Sequence, residues 1–387
     1  MKRIQLIGLL FLGFELFSLQ VLAQSADGGL KLKELAVPNS PAFILLDIAP
    51  TLIEAPLTPK EFAFAAIQSF SDDAGLPQNY SMEFTPYWWL NAKKRNVYEF
   101  AGITKTSAGV FKENVFSGLK FSNFSVAFVN KDLIPDTSAF NQKIFSIGVN
   151  TTLLKIHNAN YAAKLNSEID NWHKEIQKEL AIMQDKLNQE SDPAKRRVLQ
   201  QELNDTVFPV SSKIAENIND IIKEHPLFIL NFSAAYAVYG IDNRYLRNGR
   251  SGAWATLASF LPMKSSENSA NSNYLNLIVS SRYMHDNYSI DENNMLAKTS
   301  SFDLGGKIAF EFNRVLFGFE SLQRTYTSGT NFHYSRNAGT ISYRLNNNLF
   351  INGTFGKDFG LENKIITLFG FNWGFGEEKI NLPDPGL

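Results

Sequence analysis

The sequence predicts an all-β fold, a transmembrane antiparallel β-barrel of about 12 strands interrupted by one α-helical periplasmic insertion. Three observations carry that prediction. Apolar and polar residues alternate with a period of two through stretches well beyond the usual strand of about five or six residues, long enough for a tilted strand to cross hydrocarbon. Aromatics gather at the ends of the apolar face, as in Tyr87-Trp88-Trp89, Tyr236 with Tyr239, and Trp373 with Phe375, in the manner of interfacial girdles. Between 156 and 226 the alternation stops and a helical period replaces it.

Composition narrows the function classes. The 387 residues hold 37 Lys+Arg against 38 Asp+Glu, a formal net charge of −1. A nucleic-acid partner is not expected, because phosphate neutralisation needs a basic excess. Cysteine is absent, which removes disulfides, thiolate metal sites and cysteine nucleophiles together. The five histidines, His157, His173, His225, His285 and His333, make no HExxH or other clustered metal spacing, so no metal and no cofactor is expected.

Taken in chain order, 1–23 reads as a signal peptide: Lys2 and Arg3 precede an apolar run, and Val21-Leu22-Ala23 offers a cleavage point near Ala23. Downstream no run approaches the roughly 20 apolar residues of a membrane helix. Segment 24–60, with Pro38, Pro41, Pro50, Pro56 and Pro59 around apolar 42–48, is expected to pack at the periplasmic mouth or inside the lumen, or to serve as a tail for a partner; its prolines argue against a central strand. The first barrel strands fill 61–155, as 62–70, 79–89, 117–130 and 142–155. The second set fills 227–376, as 227–239, 250–261, 273–285, 299–312, 314–325, 331–345, 348–357 and 363–375, before a tail at 377–387. Residues 303–312 show the pattern: Leu304, Gly306, Ile308, Phe310 and Phe312 fall on one face, Asp303, Gly305, Lys307, Ala309 and Glu311 on the other. Tight turns near Asn313-Arg314 and Asn346-Asn347 fit the periplasmic side, and longer polar loops at 240–249 and 286–298 the outside. In 156–226, Leu165, Ile169, Trp172, Ile176, Leu180, Met183 and Leu187 step by three or four, marking either a hairpin that braces the barrel or an arm that docks a periplasmic protein.

The N-terminal quarter also carries a resemblance. Ser40-Pro41-Ala42-Phe43-Ile44-Leu45-Leu46, then Thr58-Pro59-Lys60-Glu61-Phe62-Ala63, then Asn79-Tyr80-Ser81-Met82-Glu83-Phe84 with Pro86-Tyr87-Trp88-Trp89, resembles the opening of poorly characterised outer-membrane barrel proteins of Bacteroidota-type bacteria. The resemblance implies a barrel in the outer membrane of a Gram-negative cell, in contact with its lipid. It supplies no activity and no site residues.

An enzyme is not expected. Ser281 and His285, four apart on one strand, would stand about 13 Å from each other, beyond hydrogen-bond reach, and His333 with Ser335 also misses. The informative set is charged. Alternation places Glu83, Arg282, Asp303, Lys307, Glu311, Glu320, Arg324, Arg336 and Arg344 toward the lumen, since a charge facing lipid near mid-bilayer costs about 2–4 kcal/mol. Segregated signs would make a narrow, non-enzymatic pore for small hydrophilic solutes. Paired signs would make a closed barrel, a scaffold anchoring an envelope assembly through its insertion. The sequence does not fix an oligomeric state.

Overall fold

The computed structural model describes residues 30–32, 40–46, 52–56, 80–87, 96–131, 142–205, 212–222, 224–240, 246–263, 273–290, 296–312, 314–328, 333–345, 349–357, 359, 365–375 and 378–380. The signal peptide, the 62–70 strand, Trp88 and Trp89 lie outside the described residues. The chain divides into two compact units, one of Leu30–Asn171 with Ser212–Leu387, the other taking in Trp172–Ser211.

The first unit is mostly β. Ten strands consecutive in the chain form one antiparallel meander: β6 (Asn123–Lys131), β7 (Gln142–Ile156), β8 (Phe228–Gly240), β9 (Leu246–Met263), β10 (Asn273–Ile290), β11 (Leu296–Phe312), β12 (Val315–Ser328), β13 (His333–Arg344), β14 (Leu349–Lys357) and β15 (Ile365–Phe375). Earlier in the chain come β1 (Leu30–Leu32), β2 (Leu52–Pro56), β3 (Tyr80–Phe84) and a small hairpin, β4 (Ile103–Lys105) with β5 (Phe111–Glu113). β3 joins the meander antiparallel to β6, and β1 pairs with β16 (Glu378–Ile380).

Antiparallel pairing does not close this sheet. Its end strands, β3 and β15, meet only through five-residue β2, which is parallel to both. Through β2 the pairings return on themselves, a circuit of twelve strands. A strand in the proline-punctuated segment was not expected; β2 is short and has Pro56 as its last residue, where a missing N–H disturbs the ladder least. Two other expectations are corrected. Residues 117–121 form a 3-10 turn, so β6 starts only at Asn123. The described residues of the polar loops drawn at 240–249 and 286–298 are strand, because β9, β10 and β11 run on past their expected ends.

Burial along the meander is inverted relative to a water-soluble protein. The inner face buries Ser125, Ser146, Ser233, Asn276, Asp303 and Arg324, while the outer face exposes Ile147, Phe232, Val279, Ile308, Phe319 and Phe355. The period-two pattern of the sequence thus puts its apolar set outside.

The helices obey their local sequence. α1 (Pro41–Ile44) has Pro41 in its first turn, where no donor is lost. In α2 (Val97–Ala101), Asn96 Oδ1 accepts from Glu99 N at 2.7 Å, and Gly102 ends the helix in the left-handed region at φ 73°. The insertion supplies α3 (Tyr161–Gln189), α4 (Pro193–Asp205) and α5 (Ser212–Ile222). The first turns of α3 and all of α5 belong to the unit that holds the sheet, tied where Asn217 Nδ2 donates to Glu168 Oε2 at 3.1 Å.

Candidate functional site: an occupied seat on the inner face

Ser40–Leu46 lies against the inner face of β6 to β10. Ala42, Phe43, Leu45 and Leu46 are buried in one cluster with Ala127 and Val129 of β6, Ile144 of β7, Ala235, Ala237 and Tyr239 of β8, Trp254 of β9 and Met284 of β10. A single helical turn does not form alone in water, so this packing holds it: burying a Phe or Leu side chain contributes about 1.5–3 kcal/mol. The wall leaves room by being small. A Cβ on Gly148 would meet Ala42 N and Pro41 Cβ at 2.8 Å.

Polar contacts fix both ends. At the start, Ser40 Oγ is 2.6 Å from Ser81 Oγ, and Ala42 N donates to Ser125 Oγ at 3.2 Å. At the other end two carbonyls that a terminating helix leaves open are taken by guanidiniums: Arg282 Nη1 donates to Ile44 O at 3.0 Å and Arg250 Nη1 to Leu45 O at 3.1 Å. Carboxylates hold both arginines in turn. Asp286 Oδ2 accepts from Arg250 Nε at 2.9 Å and Nη2 at 2.6 Å. Asp303 accepts from Arg282 through Oδ2 and from Arg324 through both oxygens, at 2.6–3.0 Å. These are charge-assisted bonds, the strong kind.

Of the nine charged residues expected inside, the structure brings Arg282, Asp303 and Arg324 together at this end of the seat. Arg336 Nε stands 3.4 Å from Glu320 Oε1, and Lys307 is in register with Glu320 on the neighbouring strand. Glu311 accepts from Asn276 Nδ2 at 3.1 Å and lies 3.1 Å from His225 Nε2. Glu83 is buried beside Ser125 in the β3–β6 register, at the far end of the seat, and Arg344 lies on the same face as Ser342 and Thr340 of β13. Sequence reasoning missed Arg250, Asp286, Ser81 and Ser125. Arg250 and Asp286 stood at the expected ends of strands, where alternation gives no face.

The helical stripe expected to dock a partner is covered within this chain. Leu165, Ile169, Trp172, Ile176 and Leu187 are buried, and Leu180 and Met183 half-buried. An amphipathic helix buries its apolar stripe wherever cover exists, and α5 supplies Ile214 and Ile218, both buried, in the same unit as the first turns of α3.

A second polar cluster joins the small hairpin to the start of the insertion. His157 Nδ1 lies 2.6 Å from Glu113 Oε1, and His157 N donates to Glu113 Oε2 at 2.9 Å. The imidazole stacks on the Tyr161 ring at 3.8 Å. Burial pushes the His157 pKa down against the pull of Glu113; burial would raise Glu113, but the two hydrogen bonds from His157 win and lower it. Tyr87 donates to Glu99 Oε1 at 2.7 Å, and this bond to a carboxylate pushes its phenol up to about 12. Burial pushes Tyr98 to about 12.

His285 Nδ1 meets Ser300 Oγ at 3.0 Å across β10 and β11, a cross-strand hydrogen bond with a buried serine. Neither Ser281 with His285 nor His333 with Ser335 is bonded; His333 Nδ1 is 3.2 Å from Thr325 Oγ1. Among the described residues no group of acidic and histidine side chains could hold a metal ion. No family model, no curated protein and no solved structure matches this chain.

Proposed function

We propose that the circuit of strands is a closed transmembrane β-barrel of the outer membrane, and that Ser40–Leu46 occludes its lumen. The observation that carries this reading is the inverted burial: aromatic and aliphatic side chains face outward from β6 to β14, and inward charges pair, Arg282 and Arg324 with Asp303 and Arg336 with Glu320. In water such an outer surface would far exceed the apolar patch a soluble monomer exposes; in lipid it is the expected surface of a barrel. Strands of 17 and 18 residues, as in β9 to β11, are more than long enough to cross. The two-residue connection after Phe312 and the insertion after Ile156 leave the sheet at the same end, which supports a periplasmic insertion.

The occupied seat favours a closed barrel anchoring an envelope assembly over a standing pore. Conductance in a planar bilayer tests it. The intact folded chain is expected to be silent. Gly148→Leu drives a side chain into Ala42 and Pro41, and is expected to expel the segment and produce reproducible steps. Steps of equal size from the intact chain would establish the second reading, a narrow pore for small hydrophilic solutes, which the inward charges of Lys307, Glu320 and Arg336 favour. A chain soluble without detergent, with no heat-modifiable gel migration, would sink both.

A further inference from the structure

We propose that Phe116 and Leu119, on the 3-10 turn ahead of β6, form an anchor that docks into the headgroup boundary of the membrane leaflet on the side of the helical insertion; the inference rests on the closed-barrel reading above. Val115 O accepts from Lys155 N at 2.8 Å, and Ser122 Oγ is 2.6 Å from Thr151 Oγ1, so the segment lies along the last residues of β7, next to the insertion. Side chains three apart eclipse in a 3-10 turn, which sorts Ser117–Phe121 and its two caps into three rows. Two rows turn to protein. A Cβ on Gly118 would run into Thr152, whose hydroxyl donates to Asn231 on the face of buried Ser233, and Lys155 Nζ stands 5.8 Å over the Phe121 ring. Ser117 is buried, and Lys120 Nζ donates to Glu99 Oε1 at 3.0 Å. The third row is Phe116, Leu119 and Ser122. Its Ser122 bonds Thr151, which is in register with outward Phe232, so this row faces out. Phe116 is 57% exposed and Leu119 48%.

What covers this row follows from its surroundings. Phe124 of β6, Leu153 and Ile156 of β7 and Phe228 of β8 are exposed, so apolar outer surface runs up to the turn and Phe116 and Leu119 continue it. The occupant that covers the outer face of the strands therefore covers them too, and that occupant is lipid. The depth follows from the backbone. Irregular backbone does not face lipid within the hydrocarbon, because its polar groups would go unmet there. The turn meets many of its own: Phe116 N donates to Asn114 Oδ1 at 3.0 Å, Leu119 N to Phe116 O at 3.1 Å, and Leu119 O accepts from both Ser122 N and Ser122 Oγ. A segment without a ladder, yet with apolar side chains on its outward row, fits the boundary. There a ring and an aliphatic side chain enter the acyl region while the remaining polar groups meet headgroups and water.

The chain has no cysteine, so one introduced thiol takes the only label. The fluorophore NBD on Phe116→Cys or Leu119→Cys is read in the full chain refolded into phosphatidylcholine vesicles, whose lipid carries a nitroxide quencher either near the headgroup or near the chain end. Two positions bracket the answer. Ile308→Cys lies on the outer face of β11, and Ile182→Cys lies on α3, as exposed as Phe116 at 56% but on the charged insertion. Labels at Phe116 and Leu119 are expected to lose more emission to the headgroup nitroxide than to the chain-end one, and to emit to the blue of the label at Ile182. The label at Ile308 is expected to show the reverse preference, and the one at Ile182 no loss to either. Labels at Phe116 and Leu119 that match Ile182, or that match Ile308, overturn the anchor. A label at Ile308 that escapes both nitroxides refutes the barrel, whereas lipid quenching at Ile308 with none at Phe116 and Leu119 refutes only the anchor. Heat-modifiable migration identifies the folded samples. If neither cysteine variant folds, Phe116→Trp keeps a ring in place, and no added quenching by lipid brominated near the headgroup, relative to the unsubstituted chain, overturns the proposal.

Discussion

Arginine at position 308 separates a lipid-facing surface from a wet one. Ile308 sits on the outer face of β11 with 54% of its surface exposed, between Leu277 of β10 and Phe319 of β12, itself 56% exposed. In a water-soluble sheet an exposed Ile→Arg change lies within about 0.5 kcal/mol of neutral. In a bilayer the same change near the midplane costs about 2–4 kcal/mol, which at roughly 1.4 kcal/mol per factor of ten lowers the folding equilibrium by about 30-fold to several hundred-fold. The assay is urea unfolding from lipid vesicles, read by tryptophan fluorescence and by gel migration without heating. Leu246→Arg is the control: it is as exposed, but it opens β9 at a strand end, where the cost is about 0–1 kcal/mol. Ile308→Arg is expected to lower the midpoint and Leu246→Arg to leave it nearly unchanged. Equal small shifts in both variants would refute the outward-facing lipid surface, and with it the membrane reading.

Asp303→Asn leaves Arg282 and Arg324 without their shared counter-charge in a fully buried position, and is expected to cost about 3–5 kcal/mol in the same unfolding assay. Replacing Trp172–Ser211 by a short linker joins two ends that already lie close, since Glu168 and Asn217 are bonded; heat-modifiable migration and the unfolding midpoint are expected to survive, and their loss would make the helical unit part of the folding core. The Glu113–His157 contact gives a pH dependence. Both pKa values are lowered in the fold, so both groups add stability that is fully present above their ordinary values of 6.5 for His157 and 4.5 for Glu113, and that is lost as pH falls below them. Amide exchange at His157 is expected to open by up to about tenfold per pH unit per group on acidification from neutral, after correction for intrinsic rates, and a flat profile would remove the role of His157.

Much of the sheet was legible because a strand writes its two faces into the sequence. Phe232 and Ser233, Ile147 and Ser146, or Ile308 and Asp303 fall outside and inside as their alternation requires. The helical insertion was legible for the same reason at another period. The ends of elements were not. Asp286 read as loop because nothing in Asp-Asn-Tyr-Ser alternates clearly, yet β10 carries on to Ile290. The packing of 40–46 was foreseen as one alternative, but its partners were not: Leu45 and Arg250 are 205 residues apart, and no local pattern records that distance.

By itself the sequence determined the period of each segment, the side of a strand on which each residue falls, and the absence of thiol chemistry, because these depend only on a residue and its near neighbours. The tertiary structure decided which strand ends meet, through parallel β2, and that Asp303 serves two arginines. It also decided that Ser40–Leu46 fills the inner face beside the pairs of Arg250 with Asp286 and of Arg282 and Arg324 with Asp303. Those outcomes arise from bringing distant charges and surfaces into one small volume, where pairing, desolvation and space are settled together and not residue by residue.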